Sequence, residues 1–269
     1  MPFRVIHTSD LHYGYSEEGD ASTREMAFEI CARGGDALVI TGDMAIRNPQ
    51  RLHECLALFE GFDGPRAFVA GNHDLWCPPS DPMTRYTTLL AEIGEDHGFH
   101  YLERTPLFVG DVAFVGSVGW YDYEFKNPDL DVDPKCYTTG SWPGVTSWND
   151  RHWMPWELSD EEFTSMCVDS LARQLQTARE KANTIVACLH HLPFRELVLY
   201  RPDKPDHEFC NAFTGSPRFG EALLAEPRAE LVLCGHVHRA ADVTVGHVRA
   251  VTNGSSYRAK VFGVYCVAE

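Results

Sequence analysis

The stretch "LCGHVHRAAD" places His236 and His238 one residue apart directly after an apolar run. Four other apolar runs end in a polar cluster in the same way. "SDLH" supplies Asp10 and His12, "GD" supplies Asp43, "GNHD" supplies Asn72, His73 and Asp74, and "LHH" supplies His190 and His191. Carboxylates, imidazoles and an amide oxygen, with no thiolate among them, suit borderline-to-hard dications such as Mn²⁺, Fe²⁺, Zn²⁺ or Co²⁺. One carboxylate can bridge two such ions about 3.5–4 Å apart, the geometry that clamps an in-line displacement at phosphorus. Asp10 and His12 leave a strand two residues apart, so their side chains point the same way. His236 and His238, on a tight turn, can splay their rings toward different ions. Gly42, Gly71 and Gly235 precede the ligand candidates, where a Cβ would obstruct close backbone approach.

Each cluster alone has a plainer explanation. Asp10 and His12 could cap a loop, Gly-Asp is a common turn, and turns favour Gly, Asn and Asp. A histidine at a strand end can simply hydrogen-bond. Five such clusters, each after an apolar run, are not accounted for in that way.

The elements that must position these residues alternate between strand and helix. "FRVIHTS", "DALVITGD" and "RAFVAGNHD" read as strands. Between and after them come helical stretches: "STREMAFEICAR" with Ser22 or Thr23 as cap, "NPQRLHECLALFEGF" with Asn48 as cap and Pro49 first, and "DPMTRYTTLLAEIGEDHG" with a similar Asp-Pro start. Residues 99–118 change to short β pieces that suit hairpins or sheet edges. A helix from about Ser159 to Lys181 leads into "TIVACLHH", and an irregular stretch of about residues 194–215 precedes "ELVLCGHVH". The tail from Val248 reads as two or three more strands with a turn at "NGSS". The pattern is that of a layered α/β domain with mixed sheets, and no linker divides residues 1–269 into two domains. Ligand sites in open α/β sheets lie at the carboxyl ends of strands, so the five loops can converge.

Composition narrows the function. The chain has 269 residues, with 23 basic against 39 acidic side chains and a formal net charge of −16. So negative a surface repels polyanions and disfavours a nucleic-acid polymer as partner. A small anionic substrate stays possible, because a bound dication inverts the local field. No segment approaches the roughly 18–20 uninterrupted apolar residues of a membrane span. "MPFRVIHTSD" lacks a basic-then-apolar signal region, so the cytoplasm is the expected location. The nine cysteines show no Cys-x-x-Cys pair and read as reduced thiols, with Cys188 and Cys234 acting as small hydrophobes inside strands.

In combination, Asp-x-His, Gly-Asp, Gly-Asn-His-Asp, His and Gly-His-x-His resemble the calcineurin-like metallophosphoesterase superfamily, from residue 10 to residue 238. The resemblance implies a four-layer α/β-β/α sandwich with a dinuclear metal site at one sheet end. It implies an enzyme that hydrolyses a phosphomonoester or phosphodiester with two divalent or transition metal ions, Mn²⁺, Fe²⁺/Fe³⁺ or Zn²⁺, through in-line attack of a metal-bridging hydroxide. Asp10, His12 and His238 would hold the first metal, and Asp43 would bridge. Asn72, through its amide oxygen, would hold the second with His190 and His236. His73, unligated, would stabilise the transition state or protonate the leaving oxygen, and Asp74 would orient that imidazole or a neighbouring loop. In "HHLPF" the resemblance favours His190 as ligand, because the family ligand directly follows the strand; His191 then lies near the substrate. After Gly-Asp the chain continues "MAIRN" rather than the Val-Asp-Arg-Gly of the Ser/Thr protein phosphatase branch. That departure points to the smaller phosphodiesterase-like members. The competing reading is a catalytically silent binding scaffold on the same fold, which would show eroded ligands.

An insert of about residues 120–158 holds five of the six tryptophans, Trp120, Trp142, Trp148, Trp153 and Trp156. Such aromatic content argues against disorder. The rings either pack a satellite core beneath the loop or border the metal cleft as a lid. Arg47, Arg151 and Arg195 fall where they could bind a phosphate or simply face solvent.

Overall fold

The computed structural model describes residues 2–77 and 81–267. Its strands in chain order are β1 (Phe3–Thr8), β2 (Ala37–Thr41), β3 (Arg66–Val69), β4 (Phe99–Tyr101), β5 (Leu107–Val109), β6 (Val112–Ser117), β7 (Ser141–Trp142), β8 (Thr146–Ser147), β9 (Thr184–Leu189), β10 (Ala229–Cys234), β11 (Ala241–Val245), β12 (Val248–Thr252) and β13 (Gly263–Val267). One sheet runs β13-β1-β2-β3-β4, parallel except for β13. The other runs β11-β12-β10-β9-β6-β5, parallel in its centre with an antiparallel strand at each edge.

The two sheets face one another. Alternate residues of a pleated strand share a face, and Val5, Val39 and Val69 of the first sheet form one cluster with Phe114, Val186 and Leu233 of the second. The opposite faces carry Ile6, Ile40 and Phe68 on one side and Val115, Ile185 and Ala187 on the other. These join Met26, Ile30 and Leu52 of covering helices, and Phe163, Cys167 and Leu171 of the helix Asp160–Lys181. Strands covered on both faces need apolar residues at every position, hence the unbroken runs in the sequence. Helix, sheet, sheet and helix make the four expected layers.

Capping residues set most helix starts. Asn48 accepts from Gln50 N at 3.0 Å ahead of Pro49, and Ser159 forms a capping box with Glu162. The first helix departs from expectation. It spans Glu17–Arg33 and is capped by Ser16, which accepts from Gly19 N at 3.1 Å, not by Ser22 or Thr23. The acidic Glu17, Glu18 and Asp20 suit the positive end of that helix. Thr23 lies a turn inside and donates back to Gly19 O, and Ser22 Oγ accepts from Lys260 N. Among the described residues the tail yields β12 and β13, because Asn253–Phe262 crosses the site end of the sheets before β13 pairs with β1. The insert is less irregular than its composition suggests. It holds the β7–β8 hairpin and the short helices Pro134–Thr139 and Asp150–Trp153.

Glu103 gives the fold a pH signature. Its carboxyl is buried, accepts from Tyr86 OH at 2.6 Å, and is raised by that burial to about 7. A carboxyl raised in the folded state costs nothing below its unfolded value and penalises the fold progressively as pH climbs to the folded value. Glu103→Gln removes the penalty. Measured by denaturant unfolding, the stability difference between variant and wild type should shift toward the variant by about 2–3 kcal/mol between pH 5 and pH 8. A difference that does not change with pH would contradict this.

Candidate metal centre

Five strand ends deliver the candidate ligands to one place: β1 leads to Asp10 and His12, β2 to Asp43, β3 to Asn72 and His73, β9 to His190, and β10 to His236 and His238. Seven non-glycine residues among those described have positive φ, and five of them are ligand candidates: Asp10 (55°), His12 (43°), Asp43 (52°), His236 (72°) and His238 (50°). Left-handed backbone at such residues costs of order 1–3 kcal/mol each and persists only where surroundings enforce it. Here Asp10 N donates to Gly42 O at 3.1 Å, His12 N to Asp43 O at 2.8 Å, and His236 N to Asp10 Oδ1 at 3.0 Å. Gly42 has φ 81°, and a Cβ there would sit 2.5 Å from His190 Nδ1 and 2.7 Å from Gly71 N. The loops can interleave this closely only without that carbon.

The donor atoms fall into two sets. In the first, His238 Nε2 lies 3.4 Å from Asp10 Oδ1 and 3.2 Å from His12 Nε2, and His12 Nε2 lies 3.7 Å from Asp43 Oδ2. In the second, His190 Nε2 lies 3.1 Å from Asn72 Oδ1, 3.2 Å from His236 Nδ1 and 3.5 Å from Asp43 Oδ1. Asp43 thus turns one carboxylate oxygen to each set. Neighbouring ligands on an ion with bonds of about 2.0–2.2 Å are spaced by roughly 3–3.5 Å, and all of these pairs but His12–Asp43 lie in that range.

Hydrogen bonding sharpens the fit. His190 Nδ1 faces the Thr41 carbonyl at 2.8 Å, an acceptor that must take the ring proton. The neutral ring therefore aims its Nε2 lone pair at Asn72 Oδ1. The Asn72 amide is held that way round because its Nδ2 donates to Asp150 Oδ1 at 2.8 Å. Two electron pairs turned toward each other in a buried site call for a cation between them. The donor set accordingly fits metal ions. Burial opposes the charge on Asp10, yet His238, His190 and His12 hold its carboxyl well below the usual range. Burial, with Asp74 and Asp10 nearby, pushes Asp43 well above it.

Of His190 and His191, His190 turns its Nε2 into the cluster. His191 Nδ1 bonds the Val118 carbonyl at 3.0 Å, and its ring packs edge-on to Trp120 and Tyr121. His73 stands at the mouth, stacked on Trp76 at 3.8 Å, with Nε2 3.9 Å from Asp43 Oδ2. Burial and the neighbouring His190 and His238 lower His73 to about 3, so its imidazole is neutral near pH 7. Asp74 lies away from that ring. Its carboxylate accepts from the backbone N of Gly71 (2.8 Å), Met44 (3.0 Å) and Ala45 (3.2 Å), tying the Asp43 loop to the Asn72 loop. Of the two tasks expected of it, these bonds are to the neighbouring loops and not to the His73 ring.

Three contributors escaped the sequence reading. Asp150, buried in the insert, accepts from Asn72, from Trp76 Nε1 (2.8 Å), from Trp148 Nε1 (2.7 Å) and from Tyr121 OH (3.1 Å). It carries no motif, and only its place among tryptophans could have singled it out. Tyr257 stacks on His12 at 4.5 Å, and Lys260 Nζ donates to Asp10 O at 2.8 Å. Both come from the tail that was expected to be strand and turn. The rings of the insert divide between an inner packing and the cleft. Trp120 and Trp156 pack on Phe163, and Trp142 packs on Phe209, whereas Trp148 meets His236 edge-on at 5.6 Å and lines the cleft. Arg47 lies over Trp153 at 3.6 Å beside the cleft, whereas Arg195 is engaged with Glu124 O and Tyr200 OH, and Arg151 lies beyond the cleft near Asp160.

Comparison with solved structures finds the same architecture. A phosphopantetheinyl hydrolase from Mycobacterium tuberculosis superposes with a TM-score of 0.74 at 19% identity, over 97% of this chain and 96% of that one. A dimetal phosphatase from Danio rerio gives 0.61 at 13% identity, over 100% and 94%. No curated protein matches at a significant level. The sequence model described as calcineurin-like phosphoesterase matches residues 3–240, a span that takes in every strand-end ligand candidate. A metal-fitting cluster at the carboxyl ends of two facing sheets, within that match, places this chain in the calcineurin-like phosphoesterase family.

Proposed function

We propose that the chain is a dinuclear metal-dependent hydrolase of small phosphoric esters. The observation that carries this reading is the division of Asp10, His12, His238 and of Asn72, His190, His236 into two sets joined by the two oxygens of Asp43. Two ions held there would supply Lewis-acid charge for the phosphoryl group and acidify water as nucleophile. Mn²⁺, Fe²⁺/Fe³⁺ and Zn²⁺ all suit a nitrogen and oxygen donor set.

The protein's own part is placement. Asp150 fixes the Asn72 amide, the Thr41 carbonyl fixes the His190 tautomer, and Asp74 fixes the Asp43 loop against the Asn72 loop. His73, neutral and steadied by the Trp76 face, is suited to donate an N–H to a phosphoryl oxygen as charge develops there. Because the ligands come from both sheets, the chain works as one catalytic domain. No helix among the described residues is long and apolar enough to cross a membrane, and action on small esters rather than nucleic-acid polymers suits the net charge of −16; the proposed location is the cytoplasm.

The test is turnover of bis(4-nitrophenyl) phosphate and 4-nitrophenyl phosphate by Mn²⁺-loaded protein. Hydrolysis of at least one, abolished by chelation and restored by added metal, is the expected result. Metal-loaded protein that hydrolyses neither would favour the silent scaffold.

A further inference from the structure

The metal cleft, lined by Asp43, Asn72, His73 and His238 among others, encloses only about 240 Å³. Against it lies a larger cavity of about 540 Å³, within the range typical of small-molecule sites. Trp148, Cys210 and His236 line both, so the two spaces share a wall at the second ligand set.

Val198, Leu199 and Val237 give the larger cavity apolar surface. Polar groups of that wall are spent on one another: Asn211 Nδ2 donates to Leu199 O at 3.1 Å, and Thr214 Oγ1 to Asn211 O at 2.8 Å. Charge enters through Arg201 and Arg239, with Asp206 as the acidic residue of the lining. Arg239 spends one N–H on Leu197 O at 2.7 Å. The Arg201 guanidinium has no hydrogen bond or ion pair among the described residues. Two guanidinium groups at one cavity stand out on a chain of net charge −16.

We infer that this cavity receives one arm of the phosphoester substrate, an elongated and mainly apolar arm that carries a second anionic group toward Arg201 and Arg239. The inference rests on the phosphoesterase reading for the ester at the metal cleft. Apolar wall and shared His236 account for the arm and its attachment, and the guanidinium groups account for its far end.

The experiment compares three diesters on Mn²⁺-loaded protein: methyl, hexyl and 5-carboxypentyl 4-nitrophenyl phosphate. Calorimetric titration with hexylphosphonate and 5-carboxypentylphosphonate supplies a binding readout without turnover. Expected is a rise in kcat/KM of at least about tenfold from methyl to hexyl, and a further rise with the terminal carboxylate. Leu199→Trp, which fills the cavity, should bring all three to the methyl rate and leave the methyl ester within about twofold of wild type. Arg201→Ala, at an exposed position, should erase only the carboxylate gain. Equal rates for all three diesters, or a Leu199→Trp loss that is the same for all, would overturn the inference and leave the phosphoesterase reading standing. Tight phosphonate binding without hydrolysis of any diester would support the cavity and overturn the phosphoesterase reading instead.

Discussion

Asp43→Asn should lower kcat/KM on an activated phosphodiester by at least about 10³-fold and cut bound metal from two ions to at most one. Asp43 is the residue shared by both donor sets, 3.7 Å from His12 Nε2 through one oxygen and 3.5 Å from His190 Nε2 through the other. An amide retains one acceptor oxygen, so it can still take the bond from His73 N that Oδ1 takes at 2.9 Å, and the loop should hold its shape. It loses the charge and the second oxygen lone pairs. Stability should move the other way. Burial makes the Asp43 carboxylate costly, and removing a buried, like-charged carboxylate relieves the metal-free protein. The metal-free variant should therefore melt higher than metal-free wild type, yet gain less on Mn²⁺ addition. Loss of activity with full metal content and an unchanged metal-induced Tm gain would count against a bridging role. Calorimetric melting with and without Mn²⁺, alongside elemental analysis, reads both signs.

Asp150→Asn is expected to have the next largest effect, and it is selective. The carboxylate accepts four donors, from Asn72, Trp76, Trp148 and Tyr121. An amide in its place must turn an N–H₂ toward some of them. The Asn72 side chain then loses the bond that keeps Oδ1 facing His190. Outer partners of this kind typically contribute 10–100-fold to metal affinity. A two-phase metal titration should show one site weakened by about that factor. The Asp10, His12 and His238 site should change by less than about twofold. Equal weakening at both sites would mean a general loosening of the insert rather than a positioning role.

Legibility in the sequence followed how local the determining physics was. Strand ends were readable because a strand covered on both faces must be apolar throughout, and a polar residue after it announces the rim. That logic located Asp10, Asp43, Asn72, His190 and His236, and the family resemblance divided them between two sites. Order along the chain also conveyed the layered α/β fold. Capping was readable at Asn48, where the cap abuts the helix pattern, and misplaced at Ser22 and Thr23. There the true helix starts at Glu17 in a stretch without apolar periodicity. Asp150, Tyr257 and Lys260 were not legible, since each reaches the site through tertiary packing from a segment with no regular pattern. Asp150 arrives on a short helix inside the insert, and Lys260 on a tail that crosses from one sheet to the other. Left-handed backbone at five ligand candidates was equally invisible, because only closure of neighbouring loops enforces it.

Anomalous diffraction from crystals soaked in Mn²⁺ probes the paired site most directly. Two peaks should flank the Asp43 carboxylate, one contacted by Asp10, His12 and His238 and the other by Asn72, His190 and His236. A lone peak, or peaks that leave Asn72 and His190 without a metal contact, would contradict the dinuclear account.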